Sequence, residues 1–438
     1  MPPLDRRIAT GAAAAALSLA LVACTADSAP ATDDAGTDGS PASVELRLAW
    51  WGSDARHQVT QEVLDLFEAE YPHISVTPDF SDWDGYWDRL ATATAAGDMP
   101  DVLQMDGQYL ATYAERGALT DLYGLESFTS SQIDEDALAS GEVGGSLYGV
   151  VNAVNSWAVI ANRTLIEEAG LEMPDDTTWT WQDLADLSIA LSAATGPTVH
   201  GLQDYGLTQG TIDQWSRQHG ESLWTPDGGF GVSEDTLVEY WELALELIEA
   251  GGLPSPSEQV EQASATQDQS GTATNTAALG FWWSNQLSAL STASGQDLTL
   301  LRPPLSPDGQ RGIWYRPSQF WSVSASTAHP EEAGLLVDFL VNSTAAGEVL
   351  LAERGTPGNV EVRRAIAPLL GDQDRAIAEY LDDIGDELDG VAELAPAGSS
   401  EFESVLVRYS SQVYFGSMTP QDAAAGLIAE VETMLGSA

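Results

Sequence analysis

From Val44 onward apolar and polar residues alternate: Val44, Leu46, Leu48 and Trp50 stand against Glu45, Arg47 and Ala49. That period of two predicts a strand with one buried face. Gly52-Ser53-Asp54 interrupts it, and Val59, Val63, Leu64, Phe67 and Tyr71 then form one helical stripe that Pro72 ends. Ile74 and Val76 predict a second strand. Asp82 is placed to cap a second helix carrying Trp83, Tyr86, Trp87 and Leu90, and Val102 to Met105 predicts a third strand. Strand, helix, strand, helix, strand is the order of a parallel, doubly wound α/β sheet with right-handed crossovers.

Farther along the signals turn helical. Thr180 with Asp183 three residues later is a capping box ahead of Leu184, Leu187 and Leu191. Leu237, Tyr240, Trp241, Ala244, Leu245 and Ile248 predict a helix that Gly251-Gly252 stops. Residues 254–276 are polar, and Ala277 to Trp283 reads as a buried strand. A helix follows Pro330, and the last one is well marked: Thr419 caps, Pro420 takes the first turn, and Ala424, Leu427, Ile428, Val431 and Leu435 share a face.

The N-terminal end has a different pattern. Arg6-Arg7, an apolar run through Ala20 and the ending Leu21-Val22-Ala23-Cys24 make the three regions of an export signal. The run is shorter than the roughly 20 residues a membrane helix needs. The ending resembles the lipobox of bacterial lipoproteins, which implies a signal peptide over 1–23 and lipid attachment at Cys24. Residues 24–43 hold nothing to bury and are expected to be a flexible tether, with a reach of roughly 25 Å. Cys24 is the sole cysteine, so no internal disulfide is available.

Charge narrows the function. The chain has 67 acidic and 16 basic residues and a formal net charge of -51. A field of that sign excludes a general role on nucleic acid or anionic lipid. Every basic residue is arginine. Without lysine there is no P-loop, no kinase site and no Schiff-base nucleophile. With 43% hydrophobic content and 14 tryptophans, sizeable cores are expected.

Several segments, in order, resemble one family. Leu48 to Asp54, Phe67-Glu-Ala-Glu-Tyr-Pro72, Gly97 to Asp106 and Gln108-Tyr109-Leu110 look like the amino-terminal lobe of the family 1 extracellular solute-binding proteins, which serve ABC importers of carbohydrates. Gly145 to Gly149, Asn155, Asn162, Trp179 to Leu184, Gly280 to Asn285, Glu331 to Leu340 and Arg354 to Gly358 continue the resemblance over 44–438. It implies a two-lobed, periplasmic-binding-protein-like α/β fold with a ligand cleft and a hinge. The lobes are expected at 44–150 plus 317–362 and at 154–313 plus 365–438, with crossings near 151–155, 312–317 and 361–366. It also implies a monomeric, lipid-anchored receptor on the outer membrane face, which hands a sugar to permease subunits and needs no cofactor or metal.

A sugar presents an apolar face and a rim of hydroxyls, so its site needs aromatic platforms and planar polar groups. Trp51 is the cleft candidate at the end of the first strand, since Trp50 continues the inward alternation. Asp54 and Asp106 match family positions for hydroxyl-binding carboxylates, and either also suits a helix cap. Trp282 and Trp283 align with a platform on the second lobe, and as strand neighbours they point to opposite faces. Asn155 sits at a crossing; Tyr315, Arg316 and Gln319 lie near another. Arg316 and Arg354 suit forked contacts to hydroxyls, although carboxylate pairing is the commoner fate of arginine. Trp87, Trp179, Trp181 and Trp241 are expected to pack. Ala55 stands where maltodextrin-binding relatives have a basic residue, which argues against maltose. A secreted glycoside hydrolase and a non-transporting surface lectin are the competing functions.

Overall fold

The computed structural model describes residues 42–263, 266–393, 395–396 and 398–436. The export signal, Cys24 and nearly all of the tether lie outside the described residues. The chain opens with β1 (Val44–Trp51), α1 (Asp54–Glu70), β2 (Ile74–Ser81), α2 (Trp83–Ala96), β3 (Val102–Met105) and α3 (Gly107–Glu115), in the order the alternation predicts. β1 pairs in parallel with β2 and β3. Each strand-to-helix turn here carries a cap: Ser53 accepts from the Arg56 N–H at 3.3 Å, Asp82 from Gly85 at 2.8 Å and Asp106 from Gln108 at 3.0 Å. Ser53, not Asp54, therefore holds the start of α1.

The helix α4 (Glu135–Ala139) and a hairpin of β4 (Glu142–Val143) and β5 (Ser146–Leu147) lead into β6 (Val150–Asn162). The hairpin turns on Gly144 and Gly145, both at positive φ, a conformation glycine adopts without a Cβ clash. After β6 come α5 (Arg163–Glu168), α6 (Trp181–Thr195), β7 (His200–Leu202), α7 (Gln209–Gln218), α8 (Glu234–Glu249), α9 (Pro256–Ala263), β8 (Ala277–Trp283), α10 (Leu287–Ser294) and β9 (Leu298–Leu301). The chain then runs through β10 (Tyr315–Val323), α11 (Pro330–Asn342), α12 (Thr344–Leu350), β11 (Thr356–Pro357) and α13 (Val360–Ile366). It ends in α14 (Asp372–Asp383), α15 (Phe402–Tyr414) and α16 (Pro420–Gly436). The capping box on α6 and the Thr419 cap on α16 form as their spacing predicts.

The strand order is β2-β1-β3-β10-β6-β8-β7, with β9 and β11 also on β6. The expectation of a parallel sheet holds for β2-β1-β3 and for β7-β8. It fails at the centre, where β10 runs antiparallel to both β3 and β6. The reason is topological: β10 returns from the distal half of the chain, so no right-handed helical crossover links it to β3.

β6 belongs to two sheets in succession. Its residues 150–156 pair with β10 and its residues 157–162 with β8 and β9. Side-chain alternation along the second half splits the hydrophobic core. Trp157, Val159 and Ala161 join a cluster with Trp179, Trp181, Tyr240, Trp241, Phe402 and Leu427. Ala158 and Ile160 face the other way, toward Leu287, Leu290, Ile377 and Leu381, and that cluster runs on into the core around Leu46, Leu48, Trp50, Phe67 and Leu336. Trp241 is fully buried and donates its indole N–H to Ser410 Oγ at 2.9 Å, so its polar atom is satisfied inside the second cluster.

Candidate functional site

A cleft of about 960 Å³ opens beside the crossing strands. One wall is the first turn of α3 (Gly107, Gln108, Ala111, Thr112) and the β4–β5 hairpin from Glu142 to Gly145. The other wall holds Gln209 at the start of α7, Thr225 to Gly228, and parts of the segment from Val391 to Ser399. Arg316 of β10 lies between them. The volume falls in the range of ligand pockets, and the α3 wall stands past the carboxyl end of β3, where open α/β sheets receive ligands.

The strand register gathers polar and aromatic residues around Arg316. Arg316 lies opposite Asn155, and Gln319 opposite Ala153, while Trp157 lies opposite Trp283. Opposed residues share a face, and 153, 155 and 157 share one by alternation. Asn155, Arg316, Gln319, Trp157 and Trp283 therefore project together. A register shift at Ser318 brings its hydroxyl to Asn155, whose Nδ2 donates to Ser318 Oγ at 2.9 Å. Asn155 Oδ1 and Gln319 Oε1 are buried without a hydrogen-bond partner, so two acceptors on this face are unengaged.

The Arg316 guanidinium lies 4.6 Å from the centroid of the Trp283 ring. Trp283 meets Trp157 edge-on at 4.8 Å and Trp314 at 5.7 Å. Arg217 covers Trp314 at 4.7 Å and donates to the carbonyls of Asp389 and Val391, so it also anchors the far cleft wall. Desolvation by the cleft walls lowers the pKa of Arg316, and the charges of Asp106 and Glu403 oppose that shift. Each of those carboxylates already holds a helix start: Asp106 accepts from Gln108 and Glu403 from the Gln209 N–H at 3.4 Å.

Comparison with known proteins gives the family of the chain. The family model for bacterial extracellular solute-binding proteins matches residues 53–347. The chain belongs to that family. A family 1 extracellular solute-binding protein from Alicyclobacillus acidocaldarius is 29% identical, with a TM-score of 0.82 over 90% of this chain and 99% of that one. A periplasmic oligogalacturonide binding protein from Yersinia enterocolitica is 23% identical, with a TM-score of 0.79 over the same shares. The diacetylchitobiose binding protein of Streptomyces coelicolor is 25% identical over 182 residues, 41% of this chain and 42% of its own length. The two-lobed fold and an extracytoplasmic, solute-binding role follow from that membership.

Not every residue expected in the site of this solute-binding protein reaches the cleft. Trp51 is 8% exposed and packs under Trp83, Tyr86 and Trp87 at 5.0–5.6 Å. The outer surface of that cluster is Trp83, 37% exposed, with Trp87 and Tyr109 stacked beside it at 4.0 Å. Trp83, which the sequence reading placed only on a helix, is thus the open aromatic that was expected at Trp51. Asp54 is exposed in the first turn of α1. Trp282 is turned to the opposite face from Trp283 and donates its indole N–H to Thr272 Oγ1 at 3.0 Å.

Tyr315 and Arg354 are also turned inward. Tyr315 is 2% exposed and donates its hydroxyl to the Leu381 carbonyl at 2.8 Å. Arg354 is buried between α1 and β3, donating to Thr60 Oγ1 at 2.8 Å and pairing with Glu353 at 3.1 Å. Burial pushes its pKa down, and Glu353 counters. These partners occupy its fork, so it acts as a brace between elements. Of the residues predicted for the site, Asn155, Trp283 and Gln319 share a sheet face with Arg316, which lines the cleft, and Asp106 caps α3 next to the lining residues Gly107 and Gln108.

Proposed function

We propose that this protein is the sugar receptor of an ABC importer: a lipoprotein held to the outer membrane face through Cys24, which captures an oligosaccharide between its lobes and presents it to permease subunits. The observation that carries the reading is the cleft itself, whose walls come from α3 and the β4–β5 hairpin on one side and from α7 and the 391–399 segment on the other. Neither wall alone encloses a ligand, so a sugar touching both favours a closed arrangement over an open one. Asp106, Asn155, Arg316 and Gln319 supply the polar contacts, with the exposed Trp83 as an aromatic surface on the α2 side. The lobes are taken as 44–150 plus 317–362 and 154–313 plus 365–438, and β6 is the first crossing between them.

The diacetylchitobiose and oligogalacturonide binding of the two relatives supports a carbohydrate ligand longer than one ring. No step of bond cleavage belongs to this reading. The test is a thermal-shift series over oligosaccharide pools: a ligand at 100 times its dissociation constant adds about 2.7 kcal/mol of stability. The bound sugar should be recovered intact. Stabilisation by no glycan pool, or release of cleavage products in excess of the protein, contradicts the proposal.

A further inference from the structure

Most arginines in this acid-rich chain are taken up by carboxylates, among them Arg56 by Glu353 at 2.7 Å, Arg217 by Asp213 at 3.0 Å, Arg302 by Glu387 at 2.8 Å and Arg363 by Asp382 at 3.1 Å; Arg375 donates to the carbonyls of Ala367 and Leu370 instead, and Arg116 lies exposed at the end of α3. Arg316 is different. Among the described residues no carboxylate comes within ion-pair distance of it, and its side chain has no hydrogen-bond partner, although it faces the cleft. Of the acids around the cleft, Glu393 on the far wall is exposed and pairs with nothing among the described residues, and three others are engaged. Asp106 and Glu403 accept from the backbone at the starts of α3 and α7, and Glu142 accepts from the Tyr123 hydroxyl at 2.6 Å.

The stack on Trp283 decides what Arg316 can offer. The guanidinium lies over the indole, and its N–H donors, engaged by no acceptor among the described residues, remain available as a fork. The same contact covers one face of Trp283, which removes that face as a platform for a sugar ring. A tryptophan expected to stack on the ligand thus orients a cation instead. Vicinal hydroxyls would satisfy the fork but leave this exposed cation without a counter-charge. A carboxylate matches both its geometry and its charge.

We infer that the ligand of this cleft is a short acidic glycan, with the carboxylate of a uronic acid residue received by the Arg316 fork, a local cation in a chain whose overall field opposes long polyanions. The inference rests on the sugar-receptor reading above and narrows it to a substrate class. Trp283 is then a positioning residue, holding the guanidinium plane toward the ligand.

The test is native mass spectrometry of the purified mature protein with oligosaccharide pools from polygalacturonate, alginate and glucuronoxylan. Each pool is offered before and after chemical reduction of its carboxyl groups to hydroxyls. The expected result is capture from an untreated pool, loss of that capture after reduction, and weakening by about ten- to a hundredfold in Arg316→Gln, the scale of a charged hydrogen-bonded contact. Arg316→Lys, which keeps the charge and loses the fork, should recover part of the affinity, and circular dichroism should show both variants folded. Capture from reduced and untreated pools alike, or from reduced pools alone, overturns the acidic-glycan inference and leaves the sugar receptor standing. Capture from neither, in these pools and in neutral ones, overturns both.

Discussion

Arg316 and Trp283 come from strands that do not pair with each other, yet the guanidinium of the first lies 4.6 Å from the ring centroid of the second. β6 makes the contact possible. Its residues 150–156 pair with β10, which carries Arg316, and its residues 157–161 pair with β8, which carries Trp283. The strand that joins the two sheets therefore also aligns Trp283 under the cleft-lining Arg316.

That geometry separates two adjacent tryptophans experimentally. Trp283→Ala should weaken ligand binding by about 1–2 kcal/mol through the lost cation–π contact, and should also lower the melting temperature, since the ring packs on Trp157 and Trp314. Trp282→Ala should leave affinity unchanged and cost about 3 kcal/mol of stability, the scale of truncating a packed aromatic. Calorimetry and thermal melts on both variants check the pair. Equal effects of the two on affinity would contradict the assignment of faces.

Arg217 and Asp213 form an almost fully buried ion pair, with side-chain exposures of 6% and 11%. Arg217→Met leaves Asp213 without its cation and frees the carbonyls of Asp389 and Val391. The expected loss is about 3–5 kcal/mol in denaturant unfolding, with faster proteolysis near 389–393. An unchanged midpoint would show that the cleft wall does not depend on Arg217.

Asp204 gives a prediction in pH. It is 9% exposed, accepts from Gln203 Nε2 at 2.9 Å and pairs with no cation among the described residues. Burial raises its pKa, Gln203 partly offsets the shift, and Glu403 adds to it. A carboxyl whose folded pKa lies above its unfolded value of about 3.9 favours the fold below that pH and loses this contribution as pH rises through the folded pKa. Asp204→Asn should therefore stabilise the protein by about 1 kcal/mol at neutral pH. The gain should vanish by about pH 4. Melting curves of both proteins from pH 4 to 8 test the sign.

Cys24→Ser should release the protein from the membrane fraction and leave ligand affinity unchanged, because the tether carries no site residue. Retention of the variant in washed membranes would contradict lipid attachment at this cysteine.

Much of the fold was legible because its signals are local. The alternation from Val44 and the side-chain oxygens of Asp82, Thr180 and Thr419 are fixed by residues a few positions apart, and the structure forms β1, α2, α6 and α16 where they point. The site was less legible because it depends on partners far along the chain. Arg316 and Arg354 look alike in sequence, but Thr60, 294 positions away, engages one and no acid engages the other. Period two says that Trp282 and Trp283 diverge; it does not say which meets the cleft, since that depends on Trp157 and Trp314. Trp51 failed as a platform for a related reason: the helix after β2 brings Trp83 and Trp87 over it.

The central claim is that a sugar draws the two walls of the cleft together. Spin labels at Ala111→Cys on α3 and Thr225→Cys on the opposite wall, in a mature chain with Cys24→Ser, report that separation directly by pulsed electron resonance. The account predicts a distance distribution that shifts to shorter values when a captured oligosaccharide is added, and no shift for Arg316→Gln at the same sugar concentration. Tight binding with an unchanged distribution, in a free protein whose walls are apart, would contradict it and point to a rigid lectin.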